Sequence, residues 1–255
     1  RSNPMSALSD RRVLVTGAAR GIGAATARAF AAAGADVAIV DIDPGHEGEA
    51  VVSDIEAAGR RGTAIQADLT AVEDCRRAVG AAVELLGGLD VLVNNAGGNL
   101  GIYATFEDLT ESDFDLIVAL NLKSTFFVSQ EAIPHLRRRP GGRIVNLASE
   151  LVWVGYELMP AYVAAKGAVV ALTRSMARAA APVTVNAVAP GPTATERFKR
   201  GKWYREERQR READIPLGRF GEPEEIARFI VSVAGETGDW CTGQTFHVNG
   251  GVVMP

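Results

Sequence analysis

Cysteine, histidine and long apolar runs are scarce in this sequence. Its two cysteines, Cys75 and Cys241, lie far apart without the spacing of metal ligands, which argues against a disulfide scaffold and indicates a reducing, cytoplasmic compartment. The three histidines are scattered, so no metal site is predicted. No uninterrupted apolar run is long enough to span a bilayer, and the N-terminus lacks the apolar core of a secretory signal.

The charge balance and composition exclude further classes of partner. A net charge of −4 gives no reason to expect nucleic acid or an acidic membrane surface as a partner. The apolar fraction of 47% and the charged fraction of 23% are typical of a globular protein. Residues 1–4 precede Met5 and could be an expression remnant. We therefore expect a tail over residues 1–10 and a single domain over residues 11–255.

A strand, a glycine turn and a helix follow one another at the start of this domain. The short apolar run of residues 12–16 predicts a buried parallel strand, and an alanine-rich helix follows the turn. Gly17, Gly21 and Gly23 would let the backbone turn tightly and approach a pyrophosphate, while the helix N-terminus offers free N–H groups. The glycines in this setting predict a dinucleotide site.

A second strand is predicted over residues 36–40, and an acid, Asp41, follows it. Asp41 lies 24 residues after Gly17, near the position at which dinucleotide folds place the acid that binds the adenosine ribose. A carboxylate there accepts hydrogen bonds from the ribose hydroxyls and repels a 2′-phosphate, which favours NAD over NADP. The presence of three arginines opposes this preference for NAD, because a nearby arginine could hold the 2′-phosphate of NADP. These arginines are Arg20, Arg60 and Arg61.

Strands and helices continue to alternate along the chain. This alternation predicts an α/β fold, a three-layer doubly wound (Rossmann) parallel sheet of about seven strands with helices on both faces. Asp68 and residues 94–97 follow two of the strands and should lie at the same carboxyl edge as Gly17. The further helices are predicted over residues 48–58, 72–86, 110–136 and 161–179, and the further strands over residues 62–67, 90–93, 143–148 and 183–188.

Tyr162 and Lys166 lie four residues apart in one of the predicted helices and therefore on one face. A free phenol has a pKa of about 10 and is a poor base at neutral pH, but a nearby cation lowers that pKa. The pair is a candidate proton donor and acceptor for an alcohol/carbonyl interconversion. The loop over residues 150–160 is rich in large apolar side chains and could line a substrate pocket.

These motifs together resemble the short-chain dehydrogenase/reductase family in its single-domain branch. Residues 16–23 resemble its TGxxxGxG turn, and residues 94–97 match its NNAG segment. Residues 162–166 form the YxxxK motif, and Ser149 stands 13 residues before the tyrosine. The resemblance extends over nearly the whole chain, from about residue 11 to residue 253.

The resemblance implies a catalytic role for four residues. Tyr162 would be the general acid/base on the substrate oxygen, and Lys166 would lower its pKa and bind the nicotinamide ribose. Ser149 would orient the substrate oxygen. Asn121 would hold a water that links Lys166 to solvent. The resemblance also implies a homotetramer.

The cofactor contacts that the resemblance and the glycine turn imply share one edge of the sheet. They include the residues of the turn, the acids after the second and third strands, and the segment that holds the nicotinamide carboxamide. The full set is Gly17, Arg20, Gly21, Ile22, Gly23, Asp41, Asp68, Leu69, Asn95, Ala96, Gly97, Tyr162, Lys166, Pro190, Gly191, Thr193 and Thr195.

The segment of residues 196–215, a substrate lid in the family, is locally basic. It indicates either an anionic substrate or a solvated helix with Glu/Arg pairs on its face.

We interpret the protein as an NAD-linked secondary alcohol dehydrogenase or carbonyl reductase acting on a small alcohol or ketone. The alternative is an NADPH-dependent 3-oxoacyl-thioester reductase, acting on an acyl carrier protein or CoA ester. A non-catalytic dinucleotide sensor is disfavoured because all four catalytic positions are kept.

Overall fold

A single parallel β-sheet organises the computed structural model, which describes residues 8–199 and 202–255. Within these residues every neighbouring pair of strands is parallel, and the strand order is β3-β2-β1-β4-β5-β6-β7. The predicted doubly wound sheet is thereby confirmed. The strands are β1 (Arg12–Thr16), β2 (Asp36–Asp41), β3 (Gly62–Gln66), β4 (Val91–Asn94), β5 (Arg143–Leu147), β6 (Thr184–Pro190) and β7 (Thr245–Val248).

Helices cover both faces of the sheet. Side chains alternate along each strand, so Val13 and Val15 enter one apolar core while Leu14 enters the other. The helices are α1 (Gly21–Ala32), α2 (Gly45–Ala57), α3 (Val72–Leu86), α4 (Glu111–Val118), α5 (Ser124–Leu136), α6 (Leu151–Val154), α7 (Pro160–Ala179), α8 (Glu196–Lys199), α9 (Lys202–Ala213) and α10 (Pro223–Ala234). The first core includes residues of α1, α2 and α10, and the second includes residues of α3, α5 and α7.

The strand order creates a crevice at the carboxyl ends of β1 and β4. The chain moves outward from β1 through β2 to β3, then crosses back to β4 on the other side of β1. Connections therefore leave β1 and β4 in opposite directions, and a crevice opens beyond their carboxyl ends. The glycine turn after β1 and the polar segment after β4 both lie at this crevice.

The predicted helix over residues 110–136 is interrupted. A π-helical turn, Ala119–Lys123, separates α4 from α5 and contains Asn121. Such single π turns widen the helix locally, and they are frequent at functional sites. The amide of Asn121 donates to the carbonyl of Ile117 at 2.8 Å and also leaves the helix to contact Gly98. Apolar periodicity alone predicted a regular helix because it carries no signal for this extra residue per turn.

Two smaller differences concern the carboxyl edge of the sheet. The predicted loop over residues 150–160 contains the short helix α6, and β6 continues to Pro190 rather than ending at residue 188. The strand β7 and the helix α10 had no predicted bounds. Among the described residues, no helix is both long and apolar enough to cross a membrane.

Candidate active site

The glycine turn after β1 brings the backbone of two strand ends together. Gly17 has a φ of +62° and donates its N–H to the carbonyl of Val40 at 2.7 Å. A Cβ atom on Gly17 would lie only 2.7 Å from the Cα of Ala96. A side chain at this position would therefore displace the segment after β4. The turn leads directly into the N-terminus of α1, whose first N–H groups face the crevice.

Asn95 holds the ends of β1 and β4 in place. Its side-chain amide donates to the carbonyls of Thr16 at 2.9 Å and Gly17 at 2.8 Å. The hydroxyl of Thr16 in turn accepts from the backbone N–H groups of Asn95 at 3.1 Å and Ala96 at 3.0 Å. Sequence reasoning proposed Asn95 as a cofactor contact. The structure gives its side chain the further task of bracing the glycine turn.

Asp41 ends β2 at the same edge and is half-buried. Its carboxylate accepts a hydrogen bond from the backbone N–H of Ala19 at 3.0 Å, which fixes it beside the glycine turn. Arg20, the nearest basic residue along the turn, lies 3.4 Å from the carboxylate of Glu47. The acid is therefore held in the place where the sequence predicted a contact to ribose hydroxyls.

Arg60 and Arg61 lie at the opposite end of β2. Both pair with Asp36, the first residue of that strand, at 3.0 Å from Arg60 and 2.8 Å from Arg61. Burial of Asp36 opposes its ionisation, but hydrogen bonds and charge from these arginines lower its pKa overall. Since β2 runs away from Asp36 towards Asp41, these two arginines do not reach the ribose end of the crevice.

A recess lies beside Asp41 beyond the ends of β2 and β3. Asp68 is exposed there, and its carboxylate accepts from the N–H of Thr70 at 3.0 Å and from its hydroxyl at 2.7 Å. Leu69, which follows, is buried in the second core. The recess is lined by Ile42, Gln66, Ala67, Asp68, Asp74 and Arg77.

Lys166 is buried at the centre of the site. Its ammonium donates to the carbonyl of Leu147, the last residue of β5, at 2.7 Å. Burial lowers the pKa of Lys166 to about 8. A Cβ atom on Gly97 would lie 3.0 Å from this ammonium and 2.6 Å from the side-chain oxygen of Asn121. Only glycine at residue 97 lets the segment after β4 approach both groups.

Asn121 joins the π turn to the segment after β4. Its amide donates to the carbonyl of Gly98 at 2.9 Å, and its side-chain oxygen accepts from the N–H of the same residue at 2.9 Å. With its bond to Ile117, this buried side chain is well satisfied. A water held by Asn121 would therefore have to contact the main chain of this residue rather than its amide.

Tyr162 lies one helical turn before Lys166 on α7, and the ammonium is 5.8 Å from the centre of its ring. The pKa of Tyr162 is raised to about 12, mainly by burial; a hydrogen bond from Ser149 opposes the rise, and the charge of Glu150 adds to it. The expectation of a lowered phenol pKa is thus wrong for the protein alone. Burial outweighs the cation because Lys166 directs its ammonium to Leu147 rather than to the phenol.

Ser149 and Glu150 follow β5 and are both buried. The hydroxyl of Ser149 accepts from the N–H of Leu151 at 3.3 Å and lies 3.5 Å from a carboxylate oxygen of Glu150. Burial raises the pKa of Glu150 to about 7. Sequence reasoning placed Ser149 in the site and missed Glu150. The one available signal was an acid directly after a strand end, which sequence alone does not distinguish from an exposed loop residue.

The segment after β6 folds over the glycine turn. The hydroxyl of Thr193 donates to the carbonyl of Gly191 at 2.8 Å. The methyl group of Thr195 lies 3.4 Å from the position of a Cβ atom on Gly21. Pro190, the last residue of β6, begins this segment. The residues predicted to hold the carboxamide and the residues predicted to hold the pyrophosphate therefore lie on facing sides of one crevice.

Helices α8 and α9 lie in the segment of residues 196–215 that was predicted to be a substrate lid. Lys199 is 3.5 Å from Glu222, and Arg208 is 2.8 Å from Glu212. Arg211 donates to the hydroxyl of Tyr156 at 3.1 Å, which ties α9 to the loop after α6. Other basic positions of the lid prediction lie outside the described residues or side chains, namely Arg197, Arg200, Lys202 and Arg205. Among the side chains that the structure describes, no group of His, Cys, Asp and Glu could hold a metal ion.

A parallel sheet with Ser149, Tyr162 and Lys166 gathered beyond its carboxyl edge defines an oxidoreductase of the short-chain type. The chain belongs to the short-chain dehydrogenase/reductase family. A family model described as enoyl-(acyl carrier protein) reductase matches residues 17–253.

Individual relatives agree with this assignment. The chain is 38% identical over 249 residues to the 3-oxoacyl-[acyl-carrier-protein] reductase FabG of Staphylococcus aureus, covering 96% of this chain and 98% of that protein. A short-chain dehydrogenase from Burkholderia cenocepacia, crystallised with NADP, superposes with a TM-score of 0.89 at 38% identity over 96% of this chain and 99% of that one. A blue fluorescent protein from a metagenomic library, in complex with NADPH, gives a TM-score of 0.90 at 35% identity, with 97% and 100% covered.

Proposed function

We propose that this oxidoreductase interconverts a secondary alcohol and a ketone with NAD(H), using Tyr162 as the general acid/base. The observation that carries the proposal is the convergence of Ser149, Tyr162 and Lys166 beside a backbone cradle formed by the glycine turn. A proton donor and acceptor, a hydroxyl donor and a buried cation are the groups that such a reaction requires.

The three side chains would act on one oxygen atom of the substrate. Tyr162 donates its proton to the oxygen of a ketone and takes it back from the hydroxyl of an alcohol. Ser149 donates a hydrogen bond to the same oxygen and orients it. The raised pKa of Tyr162 suits the role of acid, and the positive charge of Lys166 would favour the phenolate that alcohol oxidation needs. Asn121 would hold a water through its main chain on the path to solvent.

The residues of the crevice fit a nicotinamide dinucleotide. Gly17 packs against Ala96 without a side chain, and the turn leads into the N-terminus of α1, which no side chain caps, so its first N–H groups can contact a pyrophosphate. When bound, the nicotinamide supplies the hydride chemistry. The pyrophosphate would be held by Gly17, Arg20, Gly21, Ile22 and Gly23, the ribose by Asp41, and the adenine by Asp68 and Leu69. Ala96, Gly97, Tyr162 and Lys166 would hold the nicotinamide ribose, and Pro190, Gly191, Thr193 and Thr195 the carboxamide.

Asp41 supports NAD rather than NADP as the cofactor. Its carboxylate is fixed by Ala19 at the ribose end of the crevice, where a 2′-phosphate would meet a like charge. Of the three arginines that could offset this repulsion, Arg60 and Arg61 pair with Asp36, and Arg20 lies 3.4 Å from Glu47. Two similar structures contain NADP or NADPH. The proposed preference of this chain for NAD therefore rests on Asp41 and its local surroundings, and not on those relatives.

A second candidate function is the reduction of a 3-oxoacyl thioester. The similarity to FabG favours it, and it is a ketone reduction that the same three side chains could perform. The basic lid would then contact an anionic substrate. Lys199 and Arg208 are paired with glutamates, which supports a solvated face instead. Replacing Arg197, Lys199 and Arg200 together tests whether the lid binds an anion: KM for an anionic substrate should rise if it does, and an unchanged KM would refute the anionic-lid hypothesis.

The proposal is tested by removing one hydroxyl group. Tyr162→Phe should lower kcat/KM for a secondary alcohol by about 10²–10⁴-fold, the usual contribution of a general acid/base. The control is Tyr103→Phe, since Tyr103 is 52% exposed and its hydroxyl has no part in the proposed chemistry. Cofactor binding, measured by calorimetry, should persist in both variants. Turnover by Tyr162→Phe at the level of the control would refute the proposed role.

A further inference from the structure

Glu150 is a buried carboxyl group that the proposed mechanism leaves without a task. It is 7% exposed and directly follows Ser149. No ion pair joins it to any cation whose side chain the structure describes. A buried carboxylate without a paired cation is costly, so such groups usually have either a neutral form or a function at the site they face.

The backbone fixes Glu150 firmly beside the catalytic groups. Its N–H donates to the carbonyl of Pro190 at 3.1 Å, which ties it to the end of β6. Its own carbonyl accepts from the N–H groups of Trp153 at 2.9 Å and Val154 at 3.2 Å, which form α6. The carboxyl group is therefore held between a strand end and a helix, with its oxygen 3.5 Å from the hydroxyl of Ser149.

Among the side chains that the structure describes, few other ionisable groups surround the carboxyl of Glu150. Tyr162 and Lys166 face the site from α7, and the ammonium of Lys166 is bonded to a carbonyl. From β7, His247 packs its ring against Trp153 at 4.3 Å, and burial lowers its pKa. From α9, Arg211 contacts Tyr156 rather than Glu150. Lys166 is thus the buried lysine or arginine among the described side chains, and the carboxylate of Glu150 lies 3.5 Å from the hydroxyl of Ser149.

We propose that Glu150 is a positioning residue which, when ionised, opposes the ionisation of Tyr162 and draws the hydroxyl proton of Ser149 to itself. When protonated, it releases both groups for the reaction. This inference rests on the proposed roles of Tyr162 and Ser149. It assigns to Glu150 control over the pH at which the site works, and no contact with the substrate.

The chemistry of a hydroxyl group explains the competition. The hydroxyl of Ser149 has one proton to donate. A hydrogen bond to a carboxylate is stronger than one to a neutral oxygen, so an ionised Glu150 competes with Tyr162 and with the substrate oxygen for that proton. A like charge near a phenol also disfavours the phenolate. The competition for the Ser149 proton and the repulsion of the phenolate both hinder the reaction. Both disappear when the carboxyl of Glu150 is replaced by an amide.

The test is the pH profile of alcohol oxidation by Glu150→Gln, which keeps the shape of the side chain. Oxidation requires the phenolate of Tyr162, so its rate rises with pH through that ionisation. In the variant this rise should occur about one pH unit lower than in the wild-type protein, the size of shift that a single nearby charge produces. The matched control is Glu157→Gln, an exposed acid in the same loop, whose profile should coincide with that of the wild type.

A readout other than activity comes from the phenolate itself. The ultraviolet absorbance of the ligand-free protein should show one tyrosine ionising at lower pH in Glu150→Gln than in the wild type, and Tyr162→Phe identifies that signal by removing it. Glu150→Asp, which retracts the carboxylate by one methylene group, should give a smaller shift in the same direction. If Glu150→Gln does not fold, the shift in Glu150→Asp decides the question by itself.

The outcomes separate this inference from the proposed function. Superimposed profiles for the wild type and Glu150→Gln, with an inactive Tyr162→Phe variant, overturn the role of Glu150 and keep the proposed function. Full turnover by Tyr162→Phe overturns both, because Glu150 then has no catalytic phenol to control. A shifted profile with an inactive Tyr162→Phe variant supports both.

Discussion

The burial of Glu150 should make the stability of the protein depend on pH in a way that one substitution removes. The pKa of Glu150 is raised from 4.5 to about 7 because the folded protein disfavours its charge. Folding therefore favours the protonated form. The stabilisation is fully present below the unfolded pKa and is lost as the pH rises through the folded pKa. Glu150→Gln should lack this loss, since an amide does not titrate.

The size of the effect follows from the two pKa values. A pKa difference of one unit corresponds to about 1.36 kcal/mol. Between pH 5 and pH 8 the wild-type protein should lose about 2–3 kcal/mol of unfolding free energy through Glu150. The other ionisable groups are shared by the two proteins and cancel in the comparison. For a protein of this size the difference corresponds to about 5–10 °C in Tm.

The assay is thermal unfolding followed by circular dichroism at pH 5 and pH 8. The quantity that matters is the change in Tm between the two pH values, which removes any pH-independent effect of introducing an amide. Glu157→Gln serves as the exposed control and should follow the wild type. The reasoning is refuted if the wild type and Glu150→Gln lose the same number of degrees between pH 5 and pH 8.

Two further predictions concern acids at opposite edges of the sheet. Asp41→Ser should improve kcat/KM with NADP relative to NAD by about tenfold or more, because a like charge next to the 2′-phosphate is removed; an unchanged ratio, or an equal change in the exposed control Asp43→Ser, would contradict this. Asp90 is 1% exposed, lies 2.8 Å from Arg12, and has a pKa that burial raises but hydrogen bonds from Arg12 lower overall. Asp90→Asn should cost about 3 kcal/mol in urea unfolding at pH 7 by leaving Arg12 partly uncompensated. That loss should shrink as the pH falls through the lowered pKa of Asp90, and kcat/KM should stay within about twofold, because the pair lies far from the crevice.

Much of the fold could be predicted because its signals are local. An apolar run that stops at Gly17, and another that stops at Asp41, indicate two strands with their carboxyl ends at one edge. The order of the strands was not predicted and is given by the structure. The homotetramer stays a prediction from resemblance.

The ionisation of the site could not be predicted in the same way. The four-residue spacing of Tyr162 and Lys166 correctly places them on one face, but spacing does not give the direction of the ammonium. In the structure it bonds to Leu147, and burial then governs both pKa values. Burial is a property of the whole fold, which is why Glu150 also escaped notice. Its position after Ser149 in sequence says nothing about the strand end and helix that enclose it.

The interruption of the helix around Asn121 has a similar cause. Its side chain is satisfied by Gly98, which lies 23 residues earlier in the chain, and by Ile117. A contact over that separation becomes available only after β4 and the helix pair have packed. The sequence predicted a helix over residues 110–136, while tertiary contacts decided where that helix widens.

The central claim is tested most directly by the rate of reduced-nicotinamide formation from NAD and from NADP. The assay would use a panel of secondary alcohols, each as a neutral compound and as a carboxylate or thioester counterpart, with wild-type protein and Tyr162→Phe. We predict turnover that is faster with NAD than with NADP and that requires the hydroxyl of Tyr162. Turnover that depends on NADP alone, or that survives in Tyr162→Phe, would contradict the account.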